Sequence, residues 1–380
     1  MLDFELTPEQ EALRELARKF SAHEIRPKAA EWDRDGAFPM ELFRKAFDLG
    51  LMTGFIPEAY GGQGLAILDL CILEEELSWG CSGVATSMNA NGLALGPILL
   101  AGSEGQKREF VAPFATEFRF ASFCMTEPGS GSDAGAIATT ARQDGDGYVL
   151  NGRKCFITNG GHASQYTVFA STDRSRGHKG LSAFVVPGDS PGVSRGKKED
   201  KMGQRASETS DVLFEDVRIP AANRLGAEGE GFKIAMRTLD YARAGVAAMA
   251  VGVARAAYEH AAEYARQRVQ FGQPIAMNQA IYFLLADMAT GIEAARLLTW
   301  KAAWLADQGK RNTKESSFAK AFAADLAMRV ATDAVQIFGG YGYMKDYPVE
   351  KLMRDAKLLQ IFEGTSQIQR MVIAKETLLR

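Results

Sequence analysis

Cysteine is scarce in this sequence of 380 residues, which contains four of them. They are Cys71, Cys81, Cys124 and Cys155. They form neither a CxxC pair nor the regular spacing of a disulfide framework, so the pattern argues against a fold held together by disulfides. We expect the four thiols to be reduced and most of them to be buried.

Long apolar runs and a strong excess of one charge are also missing. No uncharged apolar run approaches the length needed to span a bilayer. The stretch MLDFELTPEQEALREL carries early acidic residues and no apolar core behind a basic region, unlike a targeting sequence. The net charge is only -3, which gives no electrostatic basis for binding nucleic acid. We therefore expect a cytoplasmic protein with no membrane insertion and no nucleic-acid partner.

Histidine is equally rare, and the common catalytic sequence motifs are absent. The four histidines are His23, His162, His178 and His260. None of them has a glutamate three residues before it, so the Glu-x-x-His pairs of di-iron bundles are missing and we predict no metal site. The glycine spacing of EPGSGSDAG differs from that of a dinucleotide-binding loop, and neither a Walker A loop nor a G-x-S-x-G elbow occurs.

The pattern of apolar and turn residues divides the chain into three regions. Residues 1–119 show helical periodicity, residues 120–228 contain short β-rich runs, and residues 229–380 return to long helices, one of them ending at Gly339-Gly340. Several short strands at this spacing are typical of an antiparallel barrel or sandwich. The predicted fold class is α+β, with an N-terminal helical domain, a central antiparallel β barrel or sandwich, and a C-terminal four-helix bundle.

Two local signals support this division. Thr7, Pro8 and Gln10 have the spacing of an N-cap, a first helical proline and a capping box, so a helix is expected to begin there. In the middle region, GYVLNGRKCFITNG predicts two strands joined by a turn at Asn151-Gly152.

The stretch TEPGSGSD, residues 126–133, forms a glycine-rich loop in the β region. Gly129 and Gly131 can adopt positive φ, which lets neighbouring backbone N–H groups converge, and Ser130 and Ser132 add hydroxyl donors. Such a loop can hold a pyrophosphate. It can equally be a simple turn between strands, and the residues alone favour the turn.

A single carboxylate stands out in LQIFEGTSQIQR. Glu363 follows apolar residues that include Ile361 and Phe362, and it precedes Thr365 and Ser366, which predict the start of a helix. The position is consistent with a glutamate that is favoured by the helix dipole. It is also consistent with a carboxylate in a poorly hydrated place, although the first interpretation is the more common one.

Several motifs, taken together and in order, resemble the acyl-CoA dehydrogenase family, with most likeness to its medium-chain and short-chain members. They are TEPGSGSD, FITNGG, KMGQRASET, EGEGF, RVQFGQPI, QIFGGYGY, YPVEKLMRDAK and IFEGTSQIQR. The resemblance extends over essentially the whole chain. It implies the three-part fold, FAD as cofactor, and the conversion of an acyl-CoA thioester to the trans-2-enoyl-CoA.

The resemblance makes Glu363 the base that removes the α-proton while the β-hydrogen leaves as a hydride to flavin N5. An ordinary glutamate has a pKa of about 4.3 and is a poor base for a C–H bond, so an apolar environment that raises its pKa is useful. The implied donors to the thioester oxygen are the Glu363 N–H and a flavin ribityl hydroxyl.

The family pattern also implies contacts with the cofactor. Thr126 and Thr158 would hydrogen-bond the flavin ring, and Phe156 would lie against it where the family often has Trp. The remaining implied cofactor residues are Phe123, Met125, Gly131, Ser132, Arg268, Phe271, Gln279, Gln336, Gly339, Gly340, Thr365 and Gln367. Some of these positions reach a neighbouring subunit in the family, so we expect a homo-oligomer, by resemblance a tetramer.

The implied substrate contacts are Ser132, Asp240, Arg243 and Gly364. Ala242 occupies the place where isovaleryl and long-chain members carry their catalytic Glu, which leaves Glu363 as the candidate base. Medium-chain members often have Gln and Glu at the positions of Ala85 and Asn89, and the smaller groups here leave the preferred chain length open. The GVATSMNANGL segment has no arginine for a second carboxylate, which weighs against glutaryl-CoA.

The resemblance implies that an electron-transferring flavoprotein accepts the electrons. Two related activities stay open, namely an acyl-CoA oxidase and a nitroalkane oxidase, although the latter uses Asp as its base. A non-catalytic homologue that binds flavin or DNA is the alternative of another class. Such a homologue would tolerate loss of the base, and the sequence retains Glu363.

Overall fold

The computed structural model describes residues 4–379, and its first region is helical as predicted. The helices are α1 (Pro8–Phe20), α2 (Ala29–Asp35), α3 (Met40–Asp48), α4 (Ile67–Ala101), α5 (Glu104–Phe110) and α6 (Pro113–Thr116). The predicted start of α1 is confirmed, because Thr7 Oγ accepts the Gln10 N–H at 3.2 Å and Gln10 Oε1 accepts the Thr7 N–H at 3.1 Å. Pro8 is the first helical residue.

The middle region contains one eight-stranded mixed sheet. Its strands are β1 (Ala121–Cys124), β2 (Thr140–Asp144), β3 (Gly147–Thr158), β4 (Gln165–Ser171), β5 (Leu181–Pro187), β6 (Val193–Lys198), β7 (Thr209–Pro220) and β8 (Arg224–Leu225). The order is β6-β7-β3-β2-β4-β5-β8, with β1 paired to β4. Most pairs are antiparallel as predicted, whereas β1 and β2 each run parallel to β4.

The predicted turn at Asn151-Gly152 is wrong. Both residues lie inside β3, where Asn151 pairs with Thr140 of β2 and Gly152 pairs with Phe214 of β7. The register of β3 against β7 shifts at this point, and a Cβ on Gly152 would lie 2.3 Å from Thr139 Oγ. The glycine therefore allows the strand to form a β-bulge close to a neighbouring segment. The Asn-Gly pair alone does not show whether the chain forms a bulge or a turn. The actual hairpin turn joins β2 to β3 between Asp144 and Gly147.

The last region consists mainly of long helices. They are α7 (Gly231–Gln267), α8 (Gln279–Asp307), α9 (Thr313–Phe338), α10 (Val349–Leu359) and α11 (Ser366–Leu378), and a small hairpin of β9 (Val269–Gln270) and β10 (Gln273–Pro274) precedes α8. Helix α9 ends at Phe338 as predicted, and Gly339 follows it with φ 62°. Helices α7, α8 and α9 pack on one another, while α10 packs on α7 and α9, and α11 on α9, giving the expected helical bundle.

Helix α4 is the one helix among residues 4–379 that is long and apolar enough to cross a membrane. Of its most apolar stretch, 61% is buried inside the protein, and the helix packs along α7. The chain departs from helical geometry within it at Cys81, where φ is -165° and ψ is 113°. Helix α4 is thus a core helix that connects the first region to the bundle.

The three regions share buried apolar side chains. Ile98 from α4, Phe169 from β4 and Ile234 from α7 belong to one buried cluster. Each such side chain stabilises the fold by about 1.5–3 kcal/mol through burial. The four cysteines are free and buried, as expected. Because the regions are joined by a common core, side chains from all three can form one fixed site at their junction.

A buried ion pair supports the strand that leads into the glycine-rich loop. Lys154 on β3 is fully buried, and its Nζ donates to Glu127 Oε1 at 2.7 Å, to the Phe169 carbonyl at 2.7 Å and to the Met125 carbonyl at 3.1 Å. Glu127 also accepts the Ala138 N–H at 2.6 Å. Removing one partner of such a pair costs about 3–5 kcal/mol, because it leaves the other charge buried and unpaired.

Candidate active site

A cavity of about 600 Å³ lies where the three regions meet, and we call it the Glu363 cavity. It is bounded by α4, β1, the glycine-rich loop, β3, α7 and the segment between α10 and α11. The site residues predicted from sequence that line it are Phe123, Met125, Thr126, Gly131, Ser132, Phe156, Thr158, Arg243, Glu363 and Gly364. Residues far apart in the chain are thus brought to one place.

Glu363 and Gly364 form a tight turn with left-handed backbone, with φ values of 53° and 91°. Thr365 follows as the N-cap of α11 and accepts the Ile368 N–H at 3.1 Å, as its sequence position predicts. Positive φ is unfavourable for a residue with a side chain, so neighbouring contacts have to hold Glu363 in place.

Two side chains bind the carbonyls of this turn. Gln369 Nε2 donates to the Glu363 carbonyl at 3.3 Å and to the Gly364 carbonyl at 3.0 Å. Lys320 of α9, which is fully buried, donates through Nζ to the Gly364 carbonyl at 2.7 Å. The turn is therefore fixed from α11 on one side and from α9 on the other.

Asp325 of α9 ties together the chain before and after the turn. It accepts hydrogen bonds from Gln360 Nε2 at 2.7 Å, from Ser366 Oγ at 2.8 Å and from Arg370 Nη2 at 2.7 Å. Gln360 comes just before the turn and Ser366 just after it, so one carboxylate sets the direction in which the chain enters and leaves.

The Glu363 carboxylate is withdrawn from water. The residue as a whole is only partly buried, but its Oε2 atom is buried and has no hydrogen-bond partner in the structure. Burial raises the pKa of Glu363 to about 7, while the charges of Lys320 and Arg243 oppose the rise. A carboxyl group with a pKa near neutrality is suited to accept a proton at physiological pH.

Arg243 and Asp240 form a pair behind the cavity wall. Arg243 Nη1 donates to Asp240 Oδ1 at 2.8 Å, and Asp240 Oδ2 accepts the Thr313 hydroxyl at 2.6 Å. Arg243 is buried and lines the Glu363 cavity, whereas Asp240 does not line it. Asp240 is thus placed to orient Arg243.

The part of the cavity wall formed by β3 and the glycine-rich loop is suited to a large planar group. Phe156 has φ 57° and is 67% exposed, and Thr126 and Thr158 lie beside it on the same cavity. No atom lies within 4 Å of the place where a Cβ on Gly129 or Gly131 would stand, so the glycine-rich loop leaves open space along its backbone. These features fit the flavin and phosphates of FAD.

Within the glycine-rich loop, only one of the two serines lines the cavity. Ser130 Oγ donates to the Asp133 carbonyl at 2.6 Å, and the Ser130 backbone pairs with Glu127. Ser132 lines the cavity. Ser130 therefore stabilises the loop, and Ser132 is the hydroxyl available to a ligand.

The other predicted cofactor residues lie elsewhere on the subunit. Arg268, Gly339 and Gly340 line a separate cavity of about 590 Å³, the Arg268 cavity. Phe271 sits at the tip of the β9–β10 hairpin and is 98% exposed. The side chains of Gln279, Gln336 and Gln367 are exposed as well. Gln367 is in the first turn of α11, close to Glu363 in the chain, whereas the other six residues of this group do not line the Glu363 cavity.

Some residues at the site were not found from the sequence. Lys320 does not line the cavity but contacts the turn of Glu363, and its one sequence signal is a lysine among alanines and serines at helical spacing. His178, Phe232 and Lys375 also line the Glu363 cavity. Among residues 4–379, no group of three or more His, Cys, Asp or Glu side chains is arranged to hold a metal ion.

The fold and this site together define a class. A central sheet that presents an aromatic ring, two threonines and a glycine-rich loop to a carboxylate of raised pKa has the arrangement of a flavin-dependent dehydrogenase. The carboxylate lies between two helices of the bundle, the aromatic ring lies on the sheet, and both residues line the same cavity.

Comparison with known proteins identifies the family. Family models for the acyl-CoA dehydrogenase N-terminal, middle and C-terminal domains match residues 7–117, 122–217 and 229–378. The chain is 50% identical over 372 residues to the mitochondrial short-chain specific acyl-CoA dehydrogenase of Rattus norvegicus, covering 97% of this chain and 90% of that protein. The chain belongs to the acyl-CoA dehydrogenase family.

Solved structures agree with this assignment. The butyryl-CoA dehydrogenase of Megasphaera elsdenii superimposes with a TM-score of 0.97 at 47% identity, covering 100% of both chains. A chain from a study of the electron transferring flavoprotein of Acidaminococcus fermentans superimposes with a TM-score of 0.98 at 46% identity, again over 100% of both chains. The protein is thus an oxidoreductase that acts on CH–CH groups, and FAD is the cofactor of its family.

Gly364→Ala is expected to lower the free energy of unfolding by about 2 kcal/mol. A Cβ at Gly364 would lie 2.6 Å from Gln369 Nε2, so the substitution adds a displaced hydrogen-bonding side chain to the cost of positive φ. Gly145→Ala is the matched control, since Gly145 has φ 61° and open space around its Cβ position. Urea denaturation should show the larger loss for Gly364→Ala, and equal losses would contradict this account.

Proposed function

We propose that the protein removes the α- and β-hydrogens of a saturated acyl-CoA thioester to give the trans-2-enoyl-CoA, with Glu363 as the base. The observation that carries the proposal is the buried, unpartnered Oε2 of Glu363, a residue that lines the same cavity as Phe156. The close relatives support the same reaction class.

Glu363 supplies the proton chemistry in this proposal. Its carboxylate takes the α-proton, and its backbone N–H is assigned to the thioester oxygen, where negative charge develops. Burial of Oε2 removes this atom from hydration, which makes the carboxylate a stronger base. Lys320 and Arg243 keep a fraction of Glu363 ionised at neutral pH, because both charges oppose the effect of burial.

Thr126, Ser132, Phe156 and Thr158 are the residues that would hold FAD at this site. FAD, when bound, accepts the β-hydrogen as a hydride at N5. Phe156 would lie against the flavin ring, and the Thr126 and Thr158 hydroxyls would hydrogen-bond it. Ser132 is assigned to the phosphates, since Ser132 lines the cavity while the Ser130 hydroxyl is bound to the Asp133 carbonyl.

An electron-transferring flavoprotein is the proposed acceptor of the electrons. The similarity to a chain solved in a study of such a flavoprotein supports this choice over the oxidase alternatives. The retained base opposes the non-catalytic alternative. The cytoplasmic location stays a prediction.

Glu363→Gln is expected to leave folding and FAD binding intact and to reduce turnover about 10²–10⁴-fold, since Gln cannot accept the proton. Anaerobic bleaching of the flavin by an acyl-CoA measures the reductive half-reaction directly. Glu41→Gln, on the surface of α3, is the control and should bleach at the normal rate. Normal turnover in Glu363→Gln would overturn the assignment of the base.

The value of kcat/KM should rise with pH about a midpoint near 7, because the protonated form of Glu363 cannot accept the α-proton. Lys320→Met removes a charge that lowers the pKa of Glu363, so the midpoint should move to higher pH. Lys375→Met is the matched control, since Lys375 lines the same cavity but is exposed. An unshifted midpoint in Lys320→Met would show that its charge does not act on the base.

A homotetramer is expected, with the Arg268 cavity completed by a neighbouring subunit. Large apolar side chains are exposed around the β9–β10 hairpin and the end of α9, namely Val269, Phe271, Met277, Tyr282, Phe283, Tyr341, Tyr343 and Met344. Light scattering should give four times the chain mass of 41.3 kDa. Phe271→Asp should lower both the mass and the FAD content, whereas Leu49→Asp, exposed on the first region, should change neither. A monomer with full FAD occupancy would contradict the proposal.

A further inference from the structure

A second cavity of about 250 Å³ adjoins the Glu363 cavity, and we call it the Glu74 cavity. Asn89 and Leu93 of α4 line both, so the two spaces meet at these side chains. Its other walls come from α4 and α7 and the segment before α4. An acyl chain that starts at the Glu363 cavity would pass Asn89 and Leu93 to reach this space.

Small residues make room in the Glu74 cavity. Gly92 and Gly96 of α4 and Ala242 and Gly245 of α7 lie on its walls. Apolar side chains, including Phe55, complete much of the remaining surface. Without Glu74, the small and apolar residues would form a pocket for an alkyl chain.

Glu74 does not fit an alkyl pocket. It lines the Glu74 cavity, it is only 9% exposed, and its Oε2 atom is buried without a hydrogen-bond partner. A buried polar group without a partner is destabilising by about 1–3 kcal/mol. Glu74 and Glu363 thus each have a buried carboxyl oxygen that accepts no hydrogen bond from the protein.

The charge state of Glu74 follows from its surroundings. Burial raises the pKa of Glu74 well above its usual range, and the charge of Glu363 raises it further. No Lys or Arg side chain lines the Glu74 cavity. Both effects favour the protonated form of Glu74, which can donate a hydrogen bond as well as accept one.

We propose that the Glu74 cavity receives the far end of an acyl chain that carries a neutral hydrogen-bonding group, a hydroxyl or a carbonyl, and that Glu74 binds this group. The inference rests on the proposed function, since it concerns the substrate of that same site. Before the substrate enters, water can satisfy Glu74. A plain alkyl chain would displace that water and leave Glu74 Oε2 without a partner, whereas a hydroxyl or carbonyl group would replace it.

Charged acyl groups fit less well. A second carboxylate on the substrate would lose its hydration in a cavity that no Lys or Arg side chain lines, so nothing would offset the cost of burying its charge. An ammonium group would require ionisation of Glu74 and burial of both charges, and the cost of desolvating such a pair can exceed its attraction. A neutral donor or acceptor avoids both costs.

The test compares acyl-CoA thioesters of equal chain length, from five to eight carbons, that end in a plain alkyl group or bear a hydroxyl or oxo group next to the terminal carbon. Flavin bleaching in the holoenzyme gives kcat/KM for each. Calorimetry with CoA thioethers of the same chains measures binding without turnover. The variants are Glu74→Leu, which is apolar, and Glu74→Gln, which keeps the size and hydrogen-bonding ability of the side chain.

For the wild type, kcat/KM should be at least about tenfold higher with the hydroxy- or oxo-acyl thioester than with the alkyl thioester. Glu74→Leu should reverse this preference, in turnover and in thioether binding, while Glu74→Gln should retain most of it. Wild-type preference for alkyl, amino-acyl or dicarboxylic thioesters would overturn the inference, and so would an unchanged preference in Glu74→Leu.

The wild-type measurements also separate the two proposals. If plain thioesters bleach the flavin as well as their hydroxy and oxo counterparts do, the inference about Glu74 fails and the proposed dehydrogenation stands. If no thioester of any class bleaches a fully FAD-loaded enzyme, the proposed function fails, and the inference fails with it. The comparison of plain with hydroxy- or oxo-acyl thioesters needs only the wild type, so it tests the inference about Glu74 even if Glu74→Leu does not fold.

Discussion

The left-handed turn at Glu363 and Gly364 is the constraint on which the site depends. Glu363 holds a backbone conformation that is unfavourable for a residue with a side chain, while Gly364 adopts positive φ without that cost. Hydrogen bonds from Lys320 and Gln369 to the carbonyls of the turn stabilise it. Asp325 fixes the chain on both sides of the turn. These contacts come from α9 and α11, so the packing of the bundle decides where the carboxylate points.

The same contacts set the charge of the base. A carboxyl group buried beyond reach of any cation would stay protonated and inert, and one bound directly by a cation would be too weakly basic. Here Lys320 donates its hydrogen bond to the backbone carbonyl of Gly364 and acts on the carboxylate through its charge. The conformation of the turn and the pKa of the Glu363 carboxyl group therefore both depend on Lys320.

The sequence predicts those features that are determined locally or by family resemblance. The cap at Thr7, the end of α9 before Gly339 and the position of Glu363 before the α11 cap all depend on residues close in the chain. The prediction of a turn at Asn151-Gly152 is wrong because a β-bulge and a tight turn both favour glycine for steric reasons. Only the pairing with the partner strand distinguishes a bulge from a turn. The sequence did not predict the roles of Lys320 and Glu74, because Lys320 acts through its contact with the Glu363 turn and Glu74 through the cavity that it lines. Tertiary contacts of this kind leave no periodic signal.

The separation of the Glu363 and Arg268 cavities has a thermodynamic consequence. In the proposed assembly, one FAD molecule spans groups from two subunits, so each bound cofactor also holds two subunits together. Cofactor binding and subunit association are then linked equilibria, and each strengthens the other by mass action. In that assembly, burial of Phe271, which is 98% exposed in the single chain, would also favour association. Occupancy of the active site would thus depend on the concentration of the protein as well as on that of FAD.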